Sequence, residues 1–326
     1  MANKRISFLR NFNTYKGLVG RDIVRKLLVE IGEKEHDIVL LGADSIISCG
    51  GNLFAEKFPY RTFNFGIAEA NMISAAGGFA MMHKIPVVGI YGFLLLRCAE
   101  QIKNDICYNN RNVKIFTTAS GCNLAGGGVT HHATEDISLM RSFANMTIIQ
   151  PASPIEVILA MYKAILDYEG PVYLRISRNI KEEIYKEGEI EFEIGKAITL
   201  KEGKDVTLIA SGVPVLVAKK ATETLAKIGV DARLINMHTI KPIDKEVIIK
   251  AASETEGIIV IEDGNISGGL GASVCKVICE EFPTKVKVIG IPEDNFTIIG
   301  DSEKSLWDYF GISEENIFEK VKNILK

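Results

Sequence analysis

The sequence predicts an α/β protein built as two doubly wound domains, and three observations predict it. Short β-branched runs alternate with longer helical patterns, which is the signature of a mostly parallel sheet covered by helices. The alternation breaks once, in the charged stretch "NIKEEIYKEGEIEFEIGKAITLKEGKD" (Asn179 to Asp205), and then resumes to the C-terminus. With 326 residues, 47% of them hydrophobic and 24% charged, the chain is long enough and apolar enough to enclose about two cores.

In the first domain, five buried strands are predicted: "DIVLLG" (Asp37 to Gly42), "PVVGIY" (Pro86 to Tyr91), "VKIFTT" (Val113 to Thr118), "MTIIQP" (Met146 to Pro151) and "PVYLRIS" (Pro171 to Ser177). Between them lie the helical patterns "GRDIVRKLLVEIGEK", the segment around Glu69, "RCAEQIKNDICYNN" and "SPIEVILAMYKAILDY". In the last, Ser153 is placed to N-cap the helix before Pro154. The break reads as a linker with a small hairpin. After it come the strands "DVTLIASG", "DARLIN", "GIIVIED" and "VKVIGI", with helices over Val213 to Ile228, near Asp244 to Ala252 and after "GGLG", then two short terminal helices. The expected boundaries are 1–185 for the first domain, 186–204 for the linker and 205–326 for the second domain.

Composition excludes several classes. A net charge of -3 gives no nucleic-acid-binding surface. "MANKRISFLR" lacks the apolar core of an export signal, and no apolar run is long enough to span a membrane. Cys49, Cys98, Cys107, Cys122, Cys275 and Cys279 form no CxxC pair and read as reduced, buried thiols of a cytoplasmic protein. No dinucleotide fingerprint, P-loop or zinc spacing is present. "GGLG" (Gly268 to Gly271) fits a phosphate-type helix N-terminus and equally a close helix–strand contact. "EDGN" (Glu262 to Asn265) reads as a turn at a strand end.

Ligands of such sheets bind beyond the carboxyl ends of strands, so the loops after strands carry the candidates. Glu69 stands alone as an acid in "FNFGIAEANMISAAGGFAMM", where burial would be costly without a partner. His131 and His132 follow three glycines, Gly126 to Gly128, in a loop able to bring an imidazole to a reacting group. Arg21, Ser48, Arg97, Arg175 and Arg178 lie at expected strand ends or helix starts, where arginine can clamp phosphate, although on sequence alone a surface ion pair is the favoured reading for each arginine.

Taken together, these segments resemble the transketolase family of thiamine-diphosphate enzymes. "FNFGIAEANMISAAGGFA" resembles the segment bearing the family's cofactor-activating glutamate. "GGGVTHHATEDISLMRSFANMTIIQPAS" resembles its loop of the form Asp-Gly-x-Thr-His-Gln, with Leu-Arg and Pro-Asn-x-x-x-x-x-Pro after it. "GPVYLRISR", "ISGGLGASVCKVI" and "GIPEDNF" match later segments, in family order. The implied architecture is a pyrimidine-binding domain followed by a transketolase C-terminal domain. The sequence contains no Gly-Asp-Gly, so the resemblance is to the C-terminal section of a split transketolase. It implies an N-terminal partner subunit that holds the diphosphate and Mg²⁺, and a second copy of this chain. The small residues Gly66, Ala68, Ala70, Ser74, Ala75, Ala76, Gly77 and Gly78 suit close helix packing at such an interface.

The resemblance also implies roles. Glu69 hydrogen-bonds the pyrimidine N1′ of thiamine diphosphate and so promotes loss of its thiazolium C2 proton. His131 relays protons at the donor hydroxyls. Arg21, Ser48 and Arg178 grip the phosphate of a sugar substrate. The residue stacking on the pyrimidine is Phe93, or by gapless alignment Leu94, with Tyr91 and Arg97 nearby. The chain departs from the family pattern at three positions: Gly127 replaces an aspartate that reads sugar hydroxyls, His132 replaces a glutamine, and Thr118 replaces a phosphate-side histidine. Two related enzymes share the architecture, the β subunit of a 2-oxo-acid dehydrogenase and deoxyxylulose-phosphate synthase. A non-catalytic partner subunit is the reading from another class.

Overall fold

The computed structural model describes residues 12–186 and 190–326, so the N-terminal segment read as free of an export signal lies outside the described residues. The first half contains helix α1 (Gly20–Lys34), strand β1 (Ile38–Gly42), α2 (Asn52–Lys57), β2 (Thr62–Asn64), α3 (Glu69–Met81), β3 (Ile85–Gly89) and α4 (Ala99–Gln101). It continues with β4 (Lys114–Thr117), α5 (Asp136–Ser142), β5 (Thr147–Ile149), α6 (Pro154–Tyr162) and β6 (Val172–Arg175). The second half contains β7 (Ile198–Lys201), β8 (Val206–Ala210), α7 (Pro214–Lys227), β9 (Ala232–Asn236), β10 (Thr239–Lys241), α8 (Lys245–Glu254), β11 (Ile258–Asn265), α9 (Leu270–Glu281), β12 (Val286–Ile291), α10 (Glu303–Phe310) and α11 (Glu314–Leu325).

The first sheet has seven strands in the order β10-β5-β6-β4-β3-β1-β2. Its strands run parallel, apart from β10, which is antiparallel to β5. β1, β4, β5 and β6 are buried along their whole length. That is why they read as continuous apolar runs rather than as alternating ones. One face is covered by α1 and α6. Ile23, Val24, Leu27, Leu28 and Ile31 of α1 recur at helical spacing and pack on this sheet. Burying each such side chain contributes about 1.5–3 kcal/mol.

The second sheet has five strands in the order β12-β11-β8-β9-β7. β7 comes from the stretch predicted as linker and hairpin, and it pairs antiparallel with β9. One core is shared by the two halves, joining Met72, Ile73 and Ile102 to Ile209, Ile235 and Val274. The chain order reverses at β1/β3 in the first sheet and at β8/β11 in the second, which creates a crevice at each point. The second crevice receives Gln150 from the first domain: Ser211 Oγ donates to Gln150 Oε1 at 2.9 Å, and Gln150 Nε2 donates to Asp263 Oδ1 at 2.9 Å.

Two local expectations change. Ser153 does precede α6, but its hydroxyl makes no cap hydrogen bond and is buried without a partner among the described residues. The helix predicted over "RCAEQIKNDICYNN" is a 3₁₀ turn (Gly92–Cys98), then α4, then a π-helical stretch (Ile102–Cys107). That stretch meets α3, where a Cβ on Gly77 would lie 2.8 Å from the Asp105 carbonyl oxygen and Ser74 Oγ donates to Asp105 at 2.5 Å. Part of the small-residue stripe therefore serves packing within this chain, whereas Gly66 and Gly78 meet nothing within 4 Å.

Candidate active site

Glu69 is the first residue of α3, 4% exposed. Arg97, more than half exposed, places Nη1 3.3 Å from Glu69 Oε2, yet Oε2 has no hydrogen-bond partner among the described residues. A buried carboxyl oxygen without a hydrogen-bond partner fits a ring nitrogen with which it would share a proton. The neighbouring Cys98 thiol is pushed up to about 12 by burial, with the Glu69 charge adding to the effect.

The loop after β3 and the glycine loop meet through their rings. Tyr91 and Phe93 stack with ring centroids 5.5 Å apart, and Phe93 tilts against His131 at 5.0 Å. His131 is exposed and its Nδ1 lies 2.9 Å from Thr130 Oγ1. Gly128 adopts φ 67°, ψ −167°, a backbone region open only to glycine. Gly127 is constrained differently. A Cβ there would fall 2.6 Å from His131 Cβ and 2.9 Å from its Cγ, so the carboxylate that the family resemblance expects is sterically excluded while His131 stays in place. Leu94 packs against the shared core.

A third group lies at the ends of β1 and β6. Arg178 Nη2 donates to the Ser48 carbonyl at 3.3 Å, and Ser48 Oγ donates to the Ser45 carbonyl at 3.0 Å. Gly50 lies against Arg21, whose carbonyl oxygen would be 3.0 Å from a Cβ there, so residues 48–50 sit between the two arginines. The Nε atoms of Arg21 and Arg178 are both buried and make no hydrogen bond among the described residues, although Arg21 Nε lies 3.8 Å from the Asp22 carboxylate. Two such donors fit an anion. Thr118 is fully buried with an unpartnered hydroxyl, and no hydrogen bond joins it to this group among the described residues.

Other candidates have structural roles. Arg175, fully buried, donates through Nε to Asp136 Oδ2 at 2.7 Å, through Nη1 to Asp263 Oδ1 at 2.5 Å and through Nη2 to the Ala133 carbonyl at 2.9 Å. It is an ion bridge between the domains, not a phosphate clamp. "EDGN" is the end of β11 rather than a turn. Glu262 accepts from the N–H groups of Leu270 at 2.7 Å and Gly271 at 2.9 Å, so the N-terminus behind "GGLG" already holds the protein's own carboxylate. Among the thiols, Cys49, Cys98, Cys107 and Cys122 are buried, but Cys275 is half-buried and Cys279 exposed.

Sequence reasoning missed Asn123, Thr297 and Glu303. His132 Nδ1 meets Thr297 Oγ1 at 2.6 Å, and Glu303 binds the side-chain amides of Asn123 and Asn179. These partners lie more than a hundred residues apart along the chain, so no local pattern signals them.

The first domain therefore carries a buried acid at a helix start with Arg97 against it, an aromatic–histidine contact, and two arginines with buried Nε atoms around residues 48–50. Residues 16–182 match the family model "Transketolase, pyrimidine binding domain" and residues 195–317 match "Transketolase, C-terminal domain". The chain is 35% identical over 305 residues to 6-deoxy-6-sulfo-D-fructose transketolase subunit SqwH of Clostridium sp. (strain MSTE9), covering 93% of this chain and 94% of that protein. It is 35% identical over 300 residues to an apulose-4-phosphate transketolase subunit of Phocaeicola vulgatus, covering 92% and 95%. Among solved structures, "Split gene transketolase, inactive beta4 tetramer" superposes with a TM-score of 0.85 at 36% identity, covering 95% of this chain and 99% of that one. With both domain types matched along most of its length and relatives 35% identical over more than nine-tenths of both chains, the chain belongs to the transketolase family.

Proposed function

We propose that this chain is the C-terminal subunit of a split transketolase, a transferase that moves a two-carbon ketol unit from a ketose to an aldose. Thiamine diphosphate is shared with an N-terminal subunit, which binds the diphosphate through Mg²⁺. The observation that carries this reading is Glu69, a buried acid whose Oε2 awaits a partner at the mouth of the first-sheet crevice. When bound, the cofactor supplies the nucleophilic carbon for ketol transfer.

The chain's own residues bind, orient and move protons. Glu69 holds a proton at the pyrimidine ring nitrogen. Phe93, or Leu94, packs on that ring with Tyr91 behind it, and Arg97 sets the charge beside Glu69. His131, resting on Phe93, takes and returns a proton at the donor hydroxyl. Arg21, Ser48 and Arg178 hold the anionic end of a sugar. The two named relatives act on a sulfonated and a phosphorylated sugar, and a two-arginine pocket suits either end group. Thr118 and Gly127 are assigned to the same substrate half-site, and Gly127 offers no acceptor for a sugar hydroxyl, so a standard pentose phosphate does not follow automatically as the substrate.

Two copies of this chain and two of the partner form the active assembly, working in carbohydrate metabolism in the cytoplasm. No described helix is long and apolar enough to cross a membrane. The test is reconstitution with an N-terminal subunit and Mg²⁺–thiamine diphosphate, followed by a donor screen that includes 6-deoxy-6-sulfofructose and apulose 4-phosphate. Ketol transfer by the pair and none by either chain alone supports the reading. Full transfer by this chain alone overturns it.

A further inference from the structure

A short segment of the second domain touches both halves of the candidate site. Thr297 Oγ1 lies 2.6 Å from His132 Nδ1, and His132 Nε2 lies 3.2 Å from the Leu124 carbonyl. A carbonyl only accepts, so Nε2 carries the proton. Burial holds this imidazole below its ordinary pKa and keeps it neutral. Nδ1 therefore accepts from the Thr297 hydroxyl. Gly300 N–H donates to the Ala125 carbonyl at 3.1 Å, and Ile299 Cγ1 sits 2.9 Å from where a Cβ on Gly128 would be.

At its far end the same segment meets the arginine side. Glu303 accepts from Asn123 Nδ2, and from Asn179 Nδ2 at 3.2 Å; Asn123 Oδ1 in turn accepts from the Arg178 backbone N–H at 2.8 Å. The loop held at the other end contains Gly126, Gly127 and Gly128 in succession, three residues without side chains of their own. Three glycines carry a large ordering entropy, which external contacts must offset.

We propose that residues 297–303 are the positioning element of the substrate half-site. Thr297, through His132, fixes the loop that presents His131, and Glu303, through Asn123 and Asn179, fixes the backbone that presents Arg178. The second domain then acts in the reaction without touching substrate. This proposal rests on the assignment of His131 and Arg178 to substrate.

The test begins with the full chain alone. In Thr297→Val, amide hydrogen exchange over residues 124–132 accelerates by at least about tenfold while β4 and β6 keep wild-type protection, and Thr297→Ser restores the loop. In Glu303→Gln, which keeps the side chain's shape, binding of inorganic phosphate weakens by about fivefold or more, and Arg178→Ala abolishes it. In the enzyme reconstituted with its N-terminal subunit, Thr297→Val lowers kcat by at least about tenfold with little change in acceptor KM, and Glu303→Gln raises acceptor KM with little change in kcat. Unchanged loop exchange in Thr297→Val together with unchanged phosphate binding in Glu303→Gln overturns the proposal. Wild-type turnover in His131→Ala and unchanged phosphate binding in Arg178→Ala overturn instead the assignment beneath it.

Discussion

Gly127 and His131 compete for one space: a Cβ built on the glycine lies 2.6 Å from the Cβ of the histidine. Restoring a side chain at 127 therefore does not restore a hydroxyl-reading contact, because it displaces the imidazole first. Gly127→Ala and Gly127→Asp are both expected to lower ketol transfer by at least about tenfold, since a misplacement of this size has large kinetic consequences. Steady-state kinetics of the reconstituted enzyme check this. A faster Gly127→Asp variant would show that the loop can retreat.

Glu69→Gln keeps the size of the side chain and removes its ability to hold and share an acidic proton. Cofactor C2 proton exchange in the reconstituted variant is expected to fall by about 10²–10⁴-fold, with the far-ultraviolet spectrum unchanged. Exchange followed by proton NMR reads this directly, and a wild-type rate would remove Glu69 from the chemistry.

Arg178→Ala takes away one of the two arginines proposed to hold an anion, whose buried Nε makes no hydrogen bond among the described residues. KM for a phosphorylated acceptor is expected to rise by about tenfold or more, while an acceptor lacking an anionic group is affected little. The comparison of the two acceptors is the measurement. Equal losses on both would point to a folding effect.

The fold was legible for a physical reason. Central parallel strands buried on both faces must be apolar throughout, and α1 must be apolar at helical spacing, so β1 and α1 announce themselves. β2 and β10, of three residues each, carry too little pattern to be seen. At the site, Glu69 was visible because an acid stands out in an apolar run, and His131 because it follows glycines. Arg175 reads from sequence as an ion pair, which it makes, but its complete burial is not legible, because an arginine at a strand end looks the same whether it faces solvent, an anion or Asp136 and Asp263. The pairs His132–Thr297 and Asn123–Glu303 are created only by the docking of the two domains.

The Arg175 bridge should be costly to break. Arg175→Met removes the cation from this fully buried group and leaves the carboxylates of Asp136 and Asp263 without its counter-charge. Removing one partner of such a group costs about 3–5 kcal/mol. Urea unfolding of the chain measures it, and a loss below about 1 kcal/mol would mean that solvent reaches the site.

Glu156 is fully buried and its carboxyl is pushed up from 4.5 to about 7, mainly by burial. A raised folded pKa contributes stability that is whole below the unfolded value and is lost as pH rises through the folded one. His238, pushed down to about 3, and Lys114, pushed down to about 7, run the other way, so the useful quantity is a difference between proteins. From about pH 5 to about pH 8, Glu156→Gln is expected to gain stability relative to the parent chain, as read by paired urea unfolding curves. A difference independent of pH would place the carboxyl at its ordinary value.

Strand β10 lies beyond the second domain's first strand–helix–strand unit, yet it seals the outer edge of the first sheet against β5. Cutting the chain anywhere in 186–204 would leave β5 with a bare, hydrogen-bond-hungry edge, a surface prone to pairing with other chains. The two halves thus cannot be exchanged piecemeal between relatives. Recombination that preserves solubility has to carry both domains as one heritable block.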